Sequence, residues 1–241
     1  RSKLHWIHVA SSSVMTYYML HEKRGTIAMD AMEIIPSYEG ILLHDHWRPY
    51  NRYTNCTHSY CNAHILRELN GITQKEQVVW SQDMHTLLTN MNIAVHKAKD
   101  SSKNSLSQAQ INKFLKNYEK IITSANNYYP PPDKNQKKAK GRHKQEKGKN
   151  LLDRLSKYQD ETLRFLSDFR VPFTNNLAER DLRMIKVKEK ISGSFASFKG
   201  GEIFCRIRSY ISTLKKNNIA VLAGLRDALD DKAYVPVGVG C

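Results

Sequence analysis

Acidic residues are scarce in this chain. Its 241 residues carry 23 Asp and Glu against 38 Lys and Arg, a formal charge of +15. That deficit argues against a cationic partner and favours a polyanion, because each Lys or Arg that neutralises a phosphate releases counterions. Cysteine is scarce too. Cys56, Cys61, Cys205 and Cys241 are too few and too scattered for a disulfide framework, and point to a reducing cytoplasm. No run approaches the roughly 18 apolar residues of a membrane span, so no membrane role is expected. No secretory signal is visible, but the chain begins at Arg1 rather than Met, so a missing N-terminus could carry one; the first residues already read as mid-domain strand, as in a fragment of a longer protein. What remains, 40% hydrophobic and 25% charged, is the composition of a soluble globular chain.

Leu4 to Val9 alternates apolar and polar residues as a half-buried strand does. Ser11-Ser12-Ser13 is turn chemistry, and Val14 to Leu20 is rich in β-branched and aromatic residues, so the two runs predict an antiparallel hairpin. Gly25 opens a helix in which Ile27, Ala28, Ala31, Met32 and Ile35 recur at helical spacing until Pro36. Ile41-Leu42-Leu43 reads as a short buried strand that delivers Asp45 at its C-terminal end, where open α/β sheets place their ligands. From Ile65 to Asn127 the pattern is almost wholly helical, with stripes that include Leu66 and Leu69, then Val79, Leu87, Met91 and Val95, then Phe114, Leu115, Tyr118 and Ile122.

Pro130-Pro131-Pro132 ends that block. Asp133 to Asn150 then has eight Lys or Arg against two acids and reads as a basic linker. Leu151 to Phe169 predicts one long amphipathic helix, broken at Val171-Pro172. Asn175 or Asn176 is placed to cap the next, running through Ile185. Gly193, Gly200 and Gly201 read as turns before a helix with Ile203, Phe204, Ile207, Ile211 and Leu214 on one face, and a last helix spans about Ile219 to Leu229. The expected organisation is α/β: residues 1–64 as the first part of a core, 65–170 as a helical insertion with its basic linker at 130–150, and 171–241 as the rest of the core.

Two carboxylates stand out. Asp45 lies at a strand end, and Glu179 lies in the opening turn of a basic helix beside Arg180 and Arg183. Hard Mg²⁺ takes carboxylate oxygens and keeps several waters, and two such ions suit phosphoryl transfer. Each acid has a plainer reading: Asp45 as a cap for the segment starting at Trp47, and Glu179 as one half of an i,i+4 ion pair with Arg183 worth about 0.2–0.5 kcal/mol. Cys56, His58, Cys61 and His64 supply zinc-ligand types, but the Cys56-to-Cys61 spacing is irregular for structural zinc. Packing and hydrogen bonding near a metal site is the reading preferred for Cys61 and His64.

Several motifs together resemble the catalytic domain of insertion sequence 66 family transposases. They are Leu4-His5-Trp6 with His8-Val9-Ala10, and His44-Asp45-His46-Trp47 with Pro49-Tyr50. Cys61-Asn62-Ala63-His64 with Leu66-Arg67-Glu68-Leu69 is similar too, as is Lys149 to Leu155. The strongest likeness is Asn175 to Arg183, continued by Lys190-Ile191-Ser192-Gly193 and Cys205 to Tyr210.

The resemblance implies a DDE-type transposase with a ribonuclease H-like core, a mixed sheet flanked by helices, interrupted by an all-α insertion. It implies that Asp45 matches the second catalytic aspartate, Glu179 the glutamate, and Cys61 and His64 a C-x2-H pattern, with His44 and His46 as supporting neighbours. Two Mg²⁺ or Mn²⁺ ions are expected in a complete site. The expected partner is DNA, both element ends and target, held by Arg180, Arg183, Lys186, Lys188 and the basic run that includes Lys137, Lys138 and Arg142. A homo-oligomer on DNA, other element-encoded proteins and a cytoplasmic, nucleoid-associated location follow from the same likeness. Two departures matter. The first catalytic aspartate of the family sits in an Asp-Glu-Thr stretch that this sequence does not contain, and Ala196 stands where relatives commonly carry arginine. The alternatives are an inactive DNA-binding remnant and a zinc-stabilised binding module.

Overall fold

The computed structural model describes residues 4–129 and 145–236. Pro130-Pro131-Pro132, Lys137, Lys138 and Arg142 lie outside the described residues, as does Cys241. Two units arise from the chain, the first comprising Arg1–Glu39, Arg48–Cys56 and Asn175–Cys241, the second Gly40–Trp47 and Thr57–Thr174.

In the first unit the expected hairpin forms. β1 (Trp6–Ser11) pairs antiparallel with β2 (Thr16–His21), in register from Trp6↔His21 to Ser11↔Thr16. β2 buries Thr16, Tyr18 and Leu20, the period-2 pattern of a strand with one covered face. The helices of this unit are α1 (Thr26–Ala31), α7 (Asn176–Ser192), α8 (Phe198–Lys216) and α9 (Val221–Leu229). Tyr18, Leu20 and Cys205 make a small core with Ile7, Val9 and Ile185 packed against it.

α8 keeps only part of its predicted face. Leu214 is buried as expected, but Ile203 and Ile207 are 50% and 47% exposed, and the buried side also carries Gly201, Cys205, Ser212 and Thr213. The cause is the strand beneath. Thr16 and Tyr18 of β2 donate their N–H groups to Thr213 Oγ1 (3.2 Å) and Ser209 Oγ (2.9 Å). Strand N–H groups removed from water must find acceptors, so hydroxyls displace isoleucines at this interface. Gly201 permits the close approach, since a Cβ there would meet Leu20 Cδ2 at 2.5 Å.

The second unit holds β3 (Ile41–His44) and β4 (Thr57–Tyr60), a parallel pair in register from Ile41↔Thr57 to His44↔Tyr60. Five helices follow among the described residues: α2 (Asn62–Glu76), α3 (Val79–Asp100), α4 (Gln108–Asn126), α5 (Lys147–Lys157) and α6 (Gln159–Ser167). They share one core in which Leu69, Trp80, Met84, Leu88, Met91, Tyr118, Leu151 and Phe165 are fully buried. α4 starts with a capping box, Ser107 accepting from the Gln110 N–H while Gln110 reaches back to the Ser107 N–H.

Mixed α/β is therefore the observed class, with helices dominant and the described strands confined to two two-stranded sheets. Several local expectations are corrected. α1 stops at Ala31, and Ile35–Ser37 forms a separate 3-10 turn around Pro36. Ile41, Leu42 and Leu43 are only half-buried, and β4 was not expected at all. The helix foreseen over Leu151 to Phe169 is two, broken at Tyr158 (φ −118°, ψ 43°), whose ring meets Tyr60 edge-on at 5.5 Å. α7 runs on to Ser192, and Gly200 and Gly201 lie inside α8. Val79, at the first position of α3, is exposed.

One polar knot ties four segments of the helical unit. Glu76 at the end of α2 accepts the Tyr129 hydroxyl (2.7 Å) and the Gly148 N–H (3.0 Å), while Trp80 Nε1 donates to Tyr129 (3.2 Å). A Cβ on Gly148 would overlap the Tyr129 hydroxyl and a Glu76 carboxylate oxygen. Gly148→Ala is expected to destabilise this unit by about 1–3 kcal/mol, despite alanine's better helix propensity. Urea denaturation of the purified chain measures it, and an unchanged or raised midpoint would refute the knot.

Candidate functional site

Because β3 and β4 are parallel, their C-terminal ends finish side by side at His44 and Tyr60. The chain places His44-Asp45-His46 beyond one and Cys61, the N-cap of α2, beyond the other. The Cys61 N–H donates to the His44 carbonyl (2.9 Å), and the Asn62 N–H to the Phe173 carbonyl (3.0 Å). The buried Asn62 amide also donates to the Thr162 carbonyl (3.0 Å). These bonds tie the start of α2 to the strand end and to α6.

Asp45 is exposed, and its Oδ1 accepts the Trp47 N–H at 3.1 Å. This is a turn contact two residues on, ahead of the 3-10 helix Arg48–Arg52 rather than a cap on it, and it takes one of the two carboxylate oxygens. His44 is buried, with Nε2 2.9 Å from His58 Nδ1 and Nδ1 on the Asp45 carbonyl. Arg164 Nε donates to the His58 carbonyl (2.8 Å). The His46 ring lies against Tyr60 with centroids 4.2 Å apart, and neither of its nitrogens has a hydrogen-bond partner among the described residues. Burial, opposed by the Asp45 carbonyl, lowers the His44 pKa to about 4. Burial, helped by the Arg154 charge, lowers that of His46 to about 3. Both rings are thus neutral at physiological pH. Cys61 and His64, one helical turn apart, bring a thiol and an imidazole nitrogen within 4.8 Å.

Sequence reasoning marked His58 only as a zinc-ligand type and passed over Tyr60 and Arg164. Their roles depend on β4, whose pairing no local pattern announces. Of the four zinc-ligand types, Cys56 belongs to the first unit and the other three to the second.

Glu179 belongs to the first unit, exposed in the first turn of α7, its N–H bonded to the Asn175 carbonyl (3.2 Å). What orients that turn is Asp181, which the sequence reading left without a role. Asp181 is buried at 9% exposure. Its Oδ2 accepts from Ser11 Oγ (2.6 Å), Thr16 Oγ1 (3.0 Å) and Lys216 Nζ (2.9 Å), and its carbonyl accepts the Tyr18 hydroxyl (2.9 Å). Lys216 also donates to the Ser12 and Met15 carbonyls, at 2.9 and 3.1 Å. Burial pushes the Asp181 pKa up, but the Ser11, Lys216 and Thr16 donors and the Lys216 charge outweigh it, so the net shift is downward. Residues two apart on a helix point about 200° apart. Holding Asp181 against the hairpin and α8 therefore turns Glu179 to the opposite side of α7, with Arg180, Arg183 and Lys186 exposed on the same helix. Lys188 instead donates to the Gly193 carbonyl (2.9 Å) and sits 3.9 Å over the Phe195 ring.

A family model described as Transposase IS66 family matches residues 1–203. The chain belongs to this family. No curated protein and no solved structure shows significant similarity to it. For this IS66-family chain, no helix among the described residues is long and apolar enough to cross a membrane.

Two outcomes are expected. Removing one partner of a buried ion pair leaves a stranded charge, so Asp181→Asn or Lys216→Met should each cost about 3–5 kcal/mol, and the double variant less than their sum. Denaturation of the three variants tests this, and additive losses would contradict it. His44 must stay neutral to stay buried, so its folded pKa lies below the unfolded value of 6.5. Its contribution is intact above pH 6.5 and is lost as pH falls toward 4, on the order of 2 kcal/mol by pH 5. His46 acts in the same direction. Melting temperatures between pH 7.5 and 5 should fall in the native chain and fall less in His44→Gln; parallel profiles would contradict the assignment.

Proposed function

We propose that this chain is the catalytic part of a DDE-type transposase with a ribonuclease H-like core, in which Asp45 and Glu179 hold divalent metal during DNA cleavage and strand transfer. The observation that carries the reading is the family match over residues 1–203; the resemblance of the His44–Trp47 and Asn175–Arg183 stretches to the family's motifs supports Asp45 and Glu179 as the acids. The donor chemistry fits. Both are exposed carboxylates with hard oxygen atoms, the type that Mg²⁺ and Mn²⁺ select. The ions would lower the pKa of the attacking water or 3′-hydroxyl and stabilise the leaving oxygen.

The chain's own residues do the rest. The Trp47 N–H fixes one oxygen of Asp45, which limits the carboxylate's rotation and orients the other. The neutral, buried His44 and the Tyr60-packed His46 hold the turn on either side of it. Arg180, Arg183 and Lys186 lie exposed on the helix that carries Glu179 and would grip phosphates, which positions a duplex without reading its sequence. An aspartate supplied from an Asp-Glu-Thr stretch would complete the cage. DNA ends, target DNA and a homo-oligomer assembled on them are the partners this reading requires, with other element-encoded proteins alongside.

The test uses this chain joined to a segment that supplies an Asp-Glu-Thr stretch, and a duplex carrying the element end. Glu179→Gln and Asp45→Asn should each reduce Mg²⁺-dependent cleavage at least 100-fold, while duplex binding at low salt stays within about threefold of the unsubstituted protein. Undiminished cleavage by either variant would remove that carboxylate from the mechanism. Loss of binding with retained folding would point instead to a DNA-binding role for the acid-bearing segments.

A further inference from the structure

We propose that the outer ridge of α4 is a second track for the DNA backbone, in the helical unit and separate from the cationic face of α7. Lys113, Lys116 and Lys120 are all exposed. At 100° per residue they fall within a sector of about 60°, on the side of the helix away from Phe114, Tyr118 and Ala125, which face the core. Seven residues of helix span about 10.5 Å, over which a parallel duplex presents about six phosphate charges.

Three observations separate this ridge from an ordinary solvated face. Its charge is predominantly of one sign: Glu119 is the sole acid of α4, at the edge of the ridge about 60° from Lys116 and about 100° from Lys120. A surface built for solubility intersperses both signs. None of the three lysines enters an ion pair among the described residues, so their charge is uncommitted. The ridge also begins at a cavity of about 650 Å³ whose lining includes Lys97, Lys103, Asn104, Ser107 and Gln110 and contains no carboxylate. Gln110 is one turn before Lys113, so cavity and ridge are continuous, and the first amides of α4 add the positive end of its dipole there. Lysines, hydroxyls and amides in that order fit a phosphodiester chain, and an extended polyanion is what a linear ridge recognises.

The inference rests on the reading of the chain as a DNA-acting protein, but involves neither Asp45 nor Glu179. Binding of a 25-base-pair duplex of arbitrary sequence to the full chain is measured by fluorescence anisotropy from 50 to 200 mM salt. Replacing Lys113, Lys116 and Lys120 together with Gln should make the slope of log affinity against log salt shallower by about 2–3, close to 0.9 for each phosphate that is no longer neutralised. A control that replaces the exposed Lys75, Lys215 and Lys232 removes the same charge elsewhere and should leave the slope within about 0.5. An unchanged slope in the ridge variant, or an equal change in the control, overturns the track. Glu179→Gln should keep the native slope while losing cleavage, so failure of the catalytic reading and failure of the track give different results.

Discussion

The buried pair of Asp181 and Lys216 is the constraint on which the first unit depends. One carboxylate oxygen gathers a lysine and two hydroxyls, and the lysine in turn closes the hairpin turn through the Ser12 and Met15 carbonyls. Strand, turn, α7 and α8 are thus joined at one point. Beside it, among the described residues, Tyr18, Leu20 and Cys205 pack with Ile7, Val9 and Ile185, and the directional bonds add a fixed geometry to that apolar contact. The consequence for chemistry is orientation. A helix that cannot roll keeps its neighbouring residues at fixed angles, and Glu179 is one of them.

The second unit solves the same problem differently. Its described helices bury a large apolar core, and polar bonds act at the margins: the Glu76 knot near the helix ends, the Tyr118 hydroxyl on the Leu155 carbonyl (3.0 Å), and the Asn62 amide at the strand ends. Against that rigid block, the two-stranded parallel pair needs only four residues per strand to present the His44-Asp45-His46 turn. Cationic side chains left over from packing then collect on the solvent side of α4 and remain available to a polyanion.

How far the sequence discloses this varies with the kind of signal. The hairpin and the three long helices after Cys61 were legible, because alternation and helical periodicity report a buried face directly. β4 was not, since Thr57-His58-Ser59-Tyr60 carries little apolar signal and owes its strand form to pairing with β3. The buried face of α8 is legible at Leu214 but not at its other positions, for a related reason: hydrophobicity favours Ile203 and Ile207, but the N–H groups of β2 require Ser209 and Thr213. Glu179 and Asp45 were picked out by residue type and motif, while Asp181 was passed over because an acid beside two arginines looks like surface. Its partners are more than 160 residues away on β1 and β2 and 35 residues on in α8, distances at which no local pattern operates.

Catalysis as proposed requires Asp45 and Glu179 to serve the same metal ions. Iron(II) bound in place of Mg²⁺, with ascorbate and peroxide, cuts the polypeptide beside its ligands, and mapping the cuts in the full transposase tests that requirement directly. Cuts near residue 45 and near residue 179, both suppressed by excess Mg²⁺, are the predicted result. Cuts near only one of them, or near neither, would contradict it.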